Sequence, residues 1–352
     1  MEESKNNKGR WLLFIALFIA VLFLCILCFA CPFVLLAMAS GDNTSTINSP
    51  SNLELEVIGG EASSQNSILV IPISGTILNE KPNDFLSFLY TDMTFGYDVK
   101  ETLINAALDD SIKGVVLAID SPGGTVTGSK AISDGVAEYI EKTGNPVVSH
   151  IMGLGASGGY WAAASGEYIV ADSGSMIGSI GVIFGPFKYY KNVISENDGT
   201  TSISTENGID TYYITSGEFK DFGNPYRPMT DVEKQIMQED TNDVYQEFVD
   251  YISKQRDIPA STIKTSVKAL PYGNKRTLEL GLIDETGSRD LAYKYINDKL
   301  SLGSDYKIVK EFEETDFWGS LFSVLTLEKS FNVEEDFVEN SLENKLLFLY
   351  KN

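Results

Sequence analysis

Histidine is almost absent from this chain: His150 is the only one in 352 residues. Cysteine is scarce and confined, with Cys25, Cys28 and Cys31 all inside one apolar N-terminal run. The remainder therefore has no disulfide framework and no thiolate metal site. A single histidine argues equally against structural zinc, so no metal and no cofactor is expected. Positive charge is short as well. Lysine and arginine total 27 against 49 aspartate and glutamate, a net charge of −22. Such acidity argues against nucleic acid as a partner. It also repels anionic headgroups, so any membrane attachment has to be hydrophobic.

What the chain does have is one long uncharged stretch, residues 11–39. A spanning helix needs about 20 apolar residues, and this run suffices even with Pro32 near its end. Lys5, Lys8 and Arg10 precede it and the acidic remainder follows. The positive-inside rule then places residues 1–10 in the cytoplasm and the main domain outside, on a single-pass cell-membrane anchor. A cleaved signal peptide is the competing reading, because Ala37-Met38-Ala39-Ser40 resembles an A-x-A site. Against it, the apolar run is about twice a usual signal-peptide core.

Residues 40–66 are rich in Ser, Asn, Thr and Gly and read as a linker, with a short strand at 53–58. The main domain is placed at 67–300 and a C-terminal extension at 301–352. Short apolar runs starting at Ile68, Gly114, Pro146 and Glu167 fit buried strands. Helical patterns fall between them at 98–109 and 125–142, which predicts an α/β domain with mostly parallel strands. Val232, Ile236, Val244, Phe248 and Ile252 recur at multiples of four, predicting a long amphipathic helix over 231–256 with Thr230 as N-cap. A further helix is expected near 288–300.

Three small-residue motifs carry chemistry. Asp120-Ser121-Pro122-Gly123-Gly124 follows a strand, and its glycines let backbone N–H groups face a ligand. Gly155-Ala156-Ser157-Gly158-Gly159-Tyr160-Trp161 crowds small residues around one serine at a strand-to-helix turn. Met176-Ile177-Gly178-Ser179-Ile180-Gly181-Val182 offers a further hydroxyl. A serine is a poor nucleophile without a base and oxyanion donors. Each motif alone is equally an ordinary turn or helix cap. His150 lies seven residues before Ser157 on the strand leading into the turn. At about 3.3 Å per residue its imidazole falls roughly 20 Å away. A Ser-His-Asp triad is therefore disfavoured, and a lysine is the most economical base.

The motifs occur in order, followed by Ser216-Gly217-Glu218-Phe219-Lys220-Asp221 and Pro225-Tyr226-Arg227-Pro228-Met229-Thr230. That succession resembles the signal peptide peptidase A family of serine-lysine proteases, over roughly residues 67–300. The resemblance implies a crotonase/Clp-protease-like α/β fold and a serine-type endopeptidase. It makes Ser157 the nucleophile, Lys220 the general base, Gly124 and Gly158 the oxyanion donors, and Ser179 a hydroxyl that orients the lysine. It also implies remnant signal peptides and other unfolded polypeptides as substrates, and a homo-oligomeric ring in which neighbouring protomers complete each site. Two departures stand out. Pro271-Tyr272-Gly273-Asn274 occupies the place of a W-T-G element, and Trp161-Ala162-Ala163 follows the nucleophile turn where a second tyrosine is common. The latter is expected to alter a subsite.

A free lysine has a pKa of about 10.4, so a lysine base is expected to be buried, which disfavours the ammonium. Asp221, next in sequence, opposes this unless it points to the opposite face, as it would in an extended segment. Two other classes compete. A crotonase-like acyl-CoA thioester enzyme would need a basic patch for the CoA phosphates, and none lies near the glycine motifs. A catalytically inactive membrane-associated scaffold would need neither Ser157 nor Lys220. Finally, the extension ends in Leu346-Leu347-Phe348-Leu349-Tyr350. This apolar strip on an acidic arm is expected to pack on the domain or on its membrane-facing rim; because it resembles the substrate class itself, entry into an active-site groove is the competing reading.

Overall fold

The computed structural model describes residues 53–81, 92–191, 193 and 208–312, and the backbone of 46–48, 195–197, 202–204 and 347–349. The apolar run at 11–39 and most of the C-terminal extension lie outside the described residues. Among the described residues no helix is long and apolar enough to cross a membrane.

In chain order the strands are β1 (Thr46–Asn48), β2 (Glu54–Gly60), β3 (Ser67–Leu78), β4 (Met93–Phe95), β5 (Ile112–Thr125), β6 (Val147–Ala156) and β7 (Tyr168–Ala171). There follow β8 (Met176–Gly178), β9 (Ser195–Asn197), β10 (Ser202–Ser204), β11 (Pro271–Gly273), β12 (Glu285–Thr286), β13 (Lys307–Glu311) and β14 (Leu347–Leu349). The helices used below are α1 (Gly96–Ala106), α2 (Val126–Thr143), α3 (Gly158–Ala163), α4 (Asp231–Arg256), α5 (Asn274–Glu279) and α6 (Arg289–Leu300).

The main sheet runs β1-β2-β13-β3-β5-β6-β7-β12, with β4, β8, β11 and β14 attached at its sides. Its centre, β3-β5-β6-β7, is parallel throughout. A parallel sheet joined by crossover helices is buried on both faces, which is why its strands read as nearly continuous apolar runs. One face carries Leu69, Ile71, Val115, Leu117, Ile119 and Ile151, packed with Val99 and Leu103 of α1 and Ile132, Val136 and Tyr139 of α2. The other carries Ile68, Val116, Val148 and Val170 against Ala292, Tyr293 and Ile296 of α6. The chain is thus an α/β protein with mostly parallel strands, as the periodicity predicts.

Two predicted boundaries move. β2 and β13, on either side of the expected 67–300 domain, pair with each other, and β13 runs parallel to β3. The sheet therefore takes in part of the expected linker and part of the expected extension. α4 has the predicted limits, but only its second half is core. Phe248, Val249 and Ile252 are buried there, whereas Val232 and Ile236 near its start are exposed.

Candidate active site

Strand register brings the three small-residue motifs side by side. Ser121 of β5 pairs with Gly155 of β6, and Ala156 of β6 pairs with Gly178 of β8. Gly123 and Gly124 lie within the last residues of β5, not after a strand as expected, whereas Ser157 and Ser179 directly follow β6 and β8. Ligand sites in open α/β sheets form at such carboxyl ends.

Ser157 sits on the turn between β6 and α3. It has φ 54° and ψ −120°, a positive-φ conformation that a non-glycine residue rarely takes. Its N–H donates to the Gly178 carbonyl at 2.8 Å, which ties the turn to β8. The hydroxyl makes no hydrogen bond and is fully buried. A capping serine would accept from a backbone N–H of α3. Ser157 does not, so the capping reading of this serine fails. Gly158 opens α3, where the first N–H groups have no partner inside the helix.

The glycines around it are steric requirements. A Cβ on Gly159 would lie 2.7 Å from the Ser121 carbonyl oxygen, so α3 can approach β5 only without one. A Cβ on Gly124 would run into the Ile77 backbone of β3. Ser121 braces the same stretch: its hydroxyl donates to Gly75 O at 2.6 Å and accepts from Gly123 N–H at 3.1 Å.

Tyr160 and Trp161 anchor α3 beneath the turn. Tyr160 Oη donates to Leu282 O at 2.8 Å. Trp161 stacks on Tyr251 of α4 at 4.5 Å between ring centroids and donates from Nε1 to Ser133 Oγ at 3.0 Å. Trp161 is thus core packing, not the altered subsite expected from the sequence. Ser179, with φ 51°, is nearly buried and donates its N–H to Leu270 O at 3.0 Å. β11 pairs antiparallel with β8 immediately alongside, and Asn274 beyond it donates to Asp172 O at 3.0 Å. The 271–274 element therefore buttresses the Ser179 turn from behind.

His150 is buried on β6, and its Nε2 lies 3.1 Å from Asp172 Oδ1. Its side chain is engaged with Asp172, and it makes no hydrogen bond to the Ser157 hydroxyl.

Lys220 departs from its expected setting. It is exposed, its ammonium has no partner among the described residues, and it makes no hydrogen bond to Ser157. The structure assembles Ser157, Gly124, Gly158 and Ser179 and leaves Lys220 outside that group. The segment 216–224 is a series of turns rather than an extended strand, so the expected alternation of Lys220 and Asp221 does not apply. Asp221 is neutralised in another way. Arg227 Nε and Nη2 donate to its two carboxylate oxygens at 2.8 Å each.

Sequence reasoning assigned Arg227 no role. Its other hydrogen bonds go to both oxygens of Glu233, at 2.9 and 2.6 Å, and to Pro228 O at 3.2 Å. Glu233 also accepts from Thr230 N–H at 2.7 Å, while Thr230 Oγ1 accepts from Glu233 N–H at 3.2 Å. This is the capping box of α4. Arg227 holds Asp221 down to about 2, and Glu233 likewise to about 2. The two carboxylates in turn push the guanidinium further up. The readable signal was Thr230-x-x-Glu233, with acids six residues to either side of the arginine.

Last, β14 lies antiparallel on the end of β5, with Leu347 opposite Thr125, Phe348 opposite Gly124 and Leu349 opposite Gly123. The apolar end of the extension thus sits, as a strand, on the end of β5 that flanks Ser157.

The sequence matches the family model described as Peptidase family S49 over residues 140–302. It matches the one described as Clp protease over residues 89–177. The two overlap on 140–177, which holds the Ser157 turn. A putative protease of Methanocaldococcus jannaschii is 35% identical, over 57% of this chain and 60% of its own length. Protease 4 of Haemophilus influenzae is 28% identical over 63% of this chain and 33% of its own. A putative signal peptide peptidase SppA of Enterococcus faecium is 27% identical over 64% and 62% respectively. The matched region thus spans between a third and about three-fifths of these relatives.

Proposed function

We propose that this chain, which belongs to the signal peptide peptidase A family, is a serine endopeptidase with Ser157 as nucleophile and Lys220 as general base. The observation that carries this reading is the Ser157 hydroxyl: buried, without a hydrogen-bond partner and held on a strained turn among three glycine motifs. A buried hydroxyl left unpaired costs about 1–3 kcal/mol. Strain of this kind is retained where the surrounding structure needs it, and functional sites are where it gathers.

In the reaction the neutral Lys220 amine takes the Ser157 proton as Oγ attacks the scissile carbonyl. The N–H groups of Gly124 and Gly158 receive the developing oxyanion. The lysine then gives its proton to the leaving amine, and later takes one from the water that hydrolyses the acyl-enzyme. An extended peptide added antiparallel to Gly123–Thr125 would bring its backbone past Ser157. The seating of β14 on that edge supports this binding mode.

Within one chain Ser157 is buried and Lys220 exposed, so the dyad has to be completed by an approach of the two. We assign that approach to a neighbouring protomer in a homo-oligomeric ring, which presents its Lys220 turn to this Ser157. Remnant signal peptides are the substrates that suit such a site, held near the bilayer by the uncharged run at 11–39 with the domain outside the cytoplasm. The absence of a partner on the Ser157 hydroxyl favours this over the inactive scaffold.

A fluorophosphonate probe tests the reading. Wild type is labelled on Ser157, and Ser157→Ala is not. Equal labelling of the two proteins would remove Ser157 from the nucleophile's role.

A further inference from the structure

The turn that bears Lys220 packs through Phe222 against Phe187, at 5.2 Å between ring centroids, but the backbone at the lysine itself is tied only locally. Residues 216–230 form neither helix nor strand, and Phe219 takes a left-handed φ of 61°. Around the lysine the backbone hydrogen bonds close on the turn itself, Lys220 N–H to Gly217 O at 3.4 Å, Phe222 N–H to Phe219 O at 2.9 Å and Asn224 N–H to Asp221 O at 3.0 Å, and the backbone tie from outside comes further on, from Tyr190 N–H to Pro225 O at 2.8 Å. A base that must be delivered to a serine across a gap needs a fixed direction, because misplacement of a reacting group by about 1 Å can cost about 100-fold in rate.

One side chain supplies a fixed reference. The five N–H donors of Arg227 are taken up by five hydrogen bonds, two to Asp221, two to Glu233 and one to Pro228 O. Asp221 is the residue after Lys220. Glu233 belongs to the first turn of α4, and its side chain is 2% exposed. The far half of α4 is rooted in the core through Phe248, Val249 and Ile252. A rigid path therefore runs from the core, along α4, through one planar guanidinium, to the residue next to the proposed base. Asn224 adds a weaker brace, donating to Asp221 Oδ2 at 3.4 Å.

We propose that Arg227 is a positioning residue for Lys220, bolting the turn that carries the lysine to the first turn of α4. The inference rests on the reading of Lys220 as the general base. Arginine is required rather than any cation. Its planar fork meets two carboxylates in a bidentate way, whereas an ammonium is a point charge with three donors. The other charged residues nearby in sequence do not replace it. Lys234 is paired with Asp231 at 3.1 Å, and Glu218 and Asp231 carry the wrong sign.

The test compares the full chain in detergent, as wild type, Arg227→Gln, Arg227→Lys and Lys220→Ala, on a short apolar fluorogenic peptide. Thermal midpoints are recorded for each. Both Arg227 variants are expected to lose about 10- to 100-fold in kcat with KM within about twofold, since substrate seating on β5 is untouched. Should Arg227→Gln unfold, Arg227→Lys carries the test, because it keeps a cation between the two carboxylates. Wild-type kcat in a folded Arg227→Lys would overturn the proposal. So would a rise in KM that accounts for the whole loss. If Lys220→Ala is itself fully active, the base assignment falls and the proposal with it. A dead Lys220→Ala beside an unimpaired Arg227→Lys overturns the bolt alone.

Discussion

Ser157 donates its backbone N–H to the carbonyl of Gly178 at 2.8 Å, so the turn of the proposed nucleophile is hung from the strand whose next residue is Ser179. The backbone does the positioning and leaves the hydroxyl free. Ser157→Ala should therefore keep the fold and lose the activity. We expect peptide hydrolysis to fall at least about 10³-fold. The thermal midpoint should stay level or rise, because an unpaired buried hydroxyl is removed at the small cost of its volume. Activity assays alongside calorimetry check this. A variant that melts well below wild type would mean that the hydroxyl is structural.

The separation of Ser157 from Lys220 makes a prediction about mixtures. Ser157→Ala and Lys220→Ala should each be inactive, and Lys220→Arg should not rescue, since a guanidinium stays protonated. If neighbouring protomers complete each site, coassembling the two inactive variants in equal amounts restores about a quarter of the sites. Each needs one serine-bearing and one lysine-bearing neighbour. Activity after dissociation and reassembly is the measurement. No recovery in a mixed assembly would place both residues of a working site in one chain.

Much of this was legible in the sequence, for physical reasons that can be named. A parallel sheet buried on both faces leaves unbroken apolar runs, so β3, β5, β6 and β7 could be read directly. The family resemblance of their motifs groups Ser157, Gly124, Gly158 and Ser179, and strand register sets those motifs side by side. The pairing of β2 with β13 could not be read, since some 250 residues separate them and neither short strand carries a long apolar run. The burial expected for Lys220 failed because the lysine sits on an exposed turn, which has no periodicity to read. Arg227 stayed hidden because its partners are set by turn geometry over 216–230, where no periodicity exists.

Acid should report on the Arg227 cluster. Asp221 is held down from 3.8 to about 2 and Glu233 from 4.5 to about 2, in both cases first by hydrogen bonds from Arg227. Groups depressed in the folded state stabilise it fully above their unfolded values, and that stability is lost as pH falls through the folded ones. The window is therefore roughly pH 4.5 down to 2. In Arg227→Gln the largest cause of the depression is removed, so its stability curve should be flatter than wild type across that window and lower above it. Urea denaturation at a series of pH values measures both. Parallel curves would show that the cluster adds nothing to the fold.

Gly159→Ala tests the close approach of α3 to β5. Its Cβ would stand 2.7 Å from the Ser121 carbonyl oxygen and 3.1 Å from Ser121 Cβ. Relief requires the Ser157 turn to move away from residues 121–124 at the end of β5. We expect kcat/KM to drop about 10- to 100-fold, with a stability loss of about 1–3 kcal/mol from overpacking. Kinetics beside a thermal melt separate the two effects. Full activity would mean that the spacing between these motifs is not set at Gly159.

The tail gives the last prediction. β14 pairs with Gly123, Gly124 and Thr125, the edge on which a peptide substrate would be seated. A tethered strand competes at a high effective concentration without needing high affinity. Its apolar composition, Leu347-Phe348-Leu349, matches the substrate class proposed here. Removing residues 344–352 should therefore lower KM for a short apolar peptide several-fold and leave kcat within about twofold, as expected when a competing occupant is taken away. A synthetic peptide of the same nine residues, added back, should inhibit the truncated protein competitively. Intact mass of the wild type, compared with Ser157→Ala, shows whether the tail is also cut. Unchanged kinetics after truncation, together with no inhibition by the peptide, would mean that β14 does not share the substrate's edge in the working enzyme.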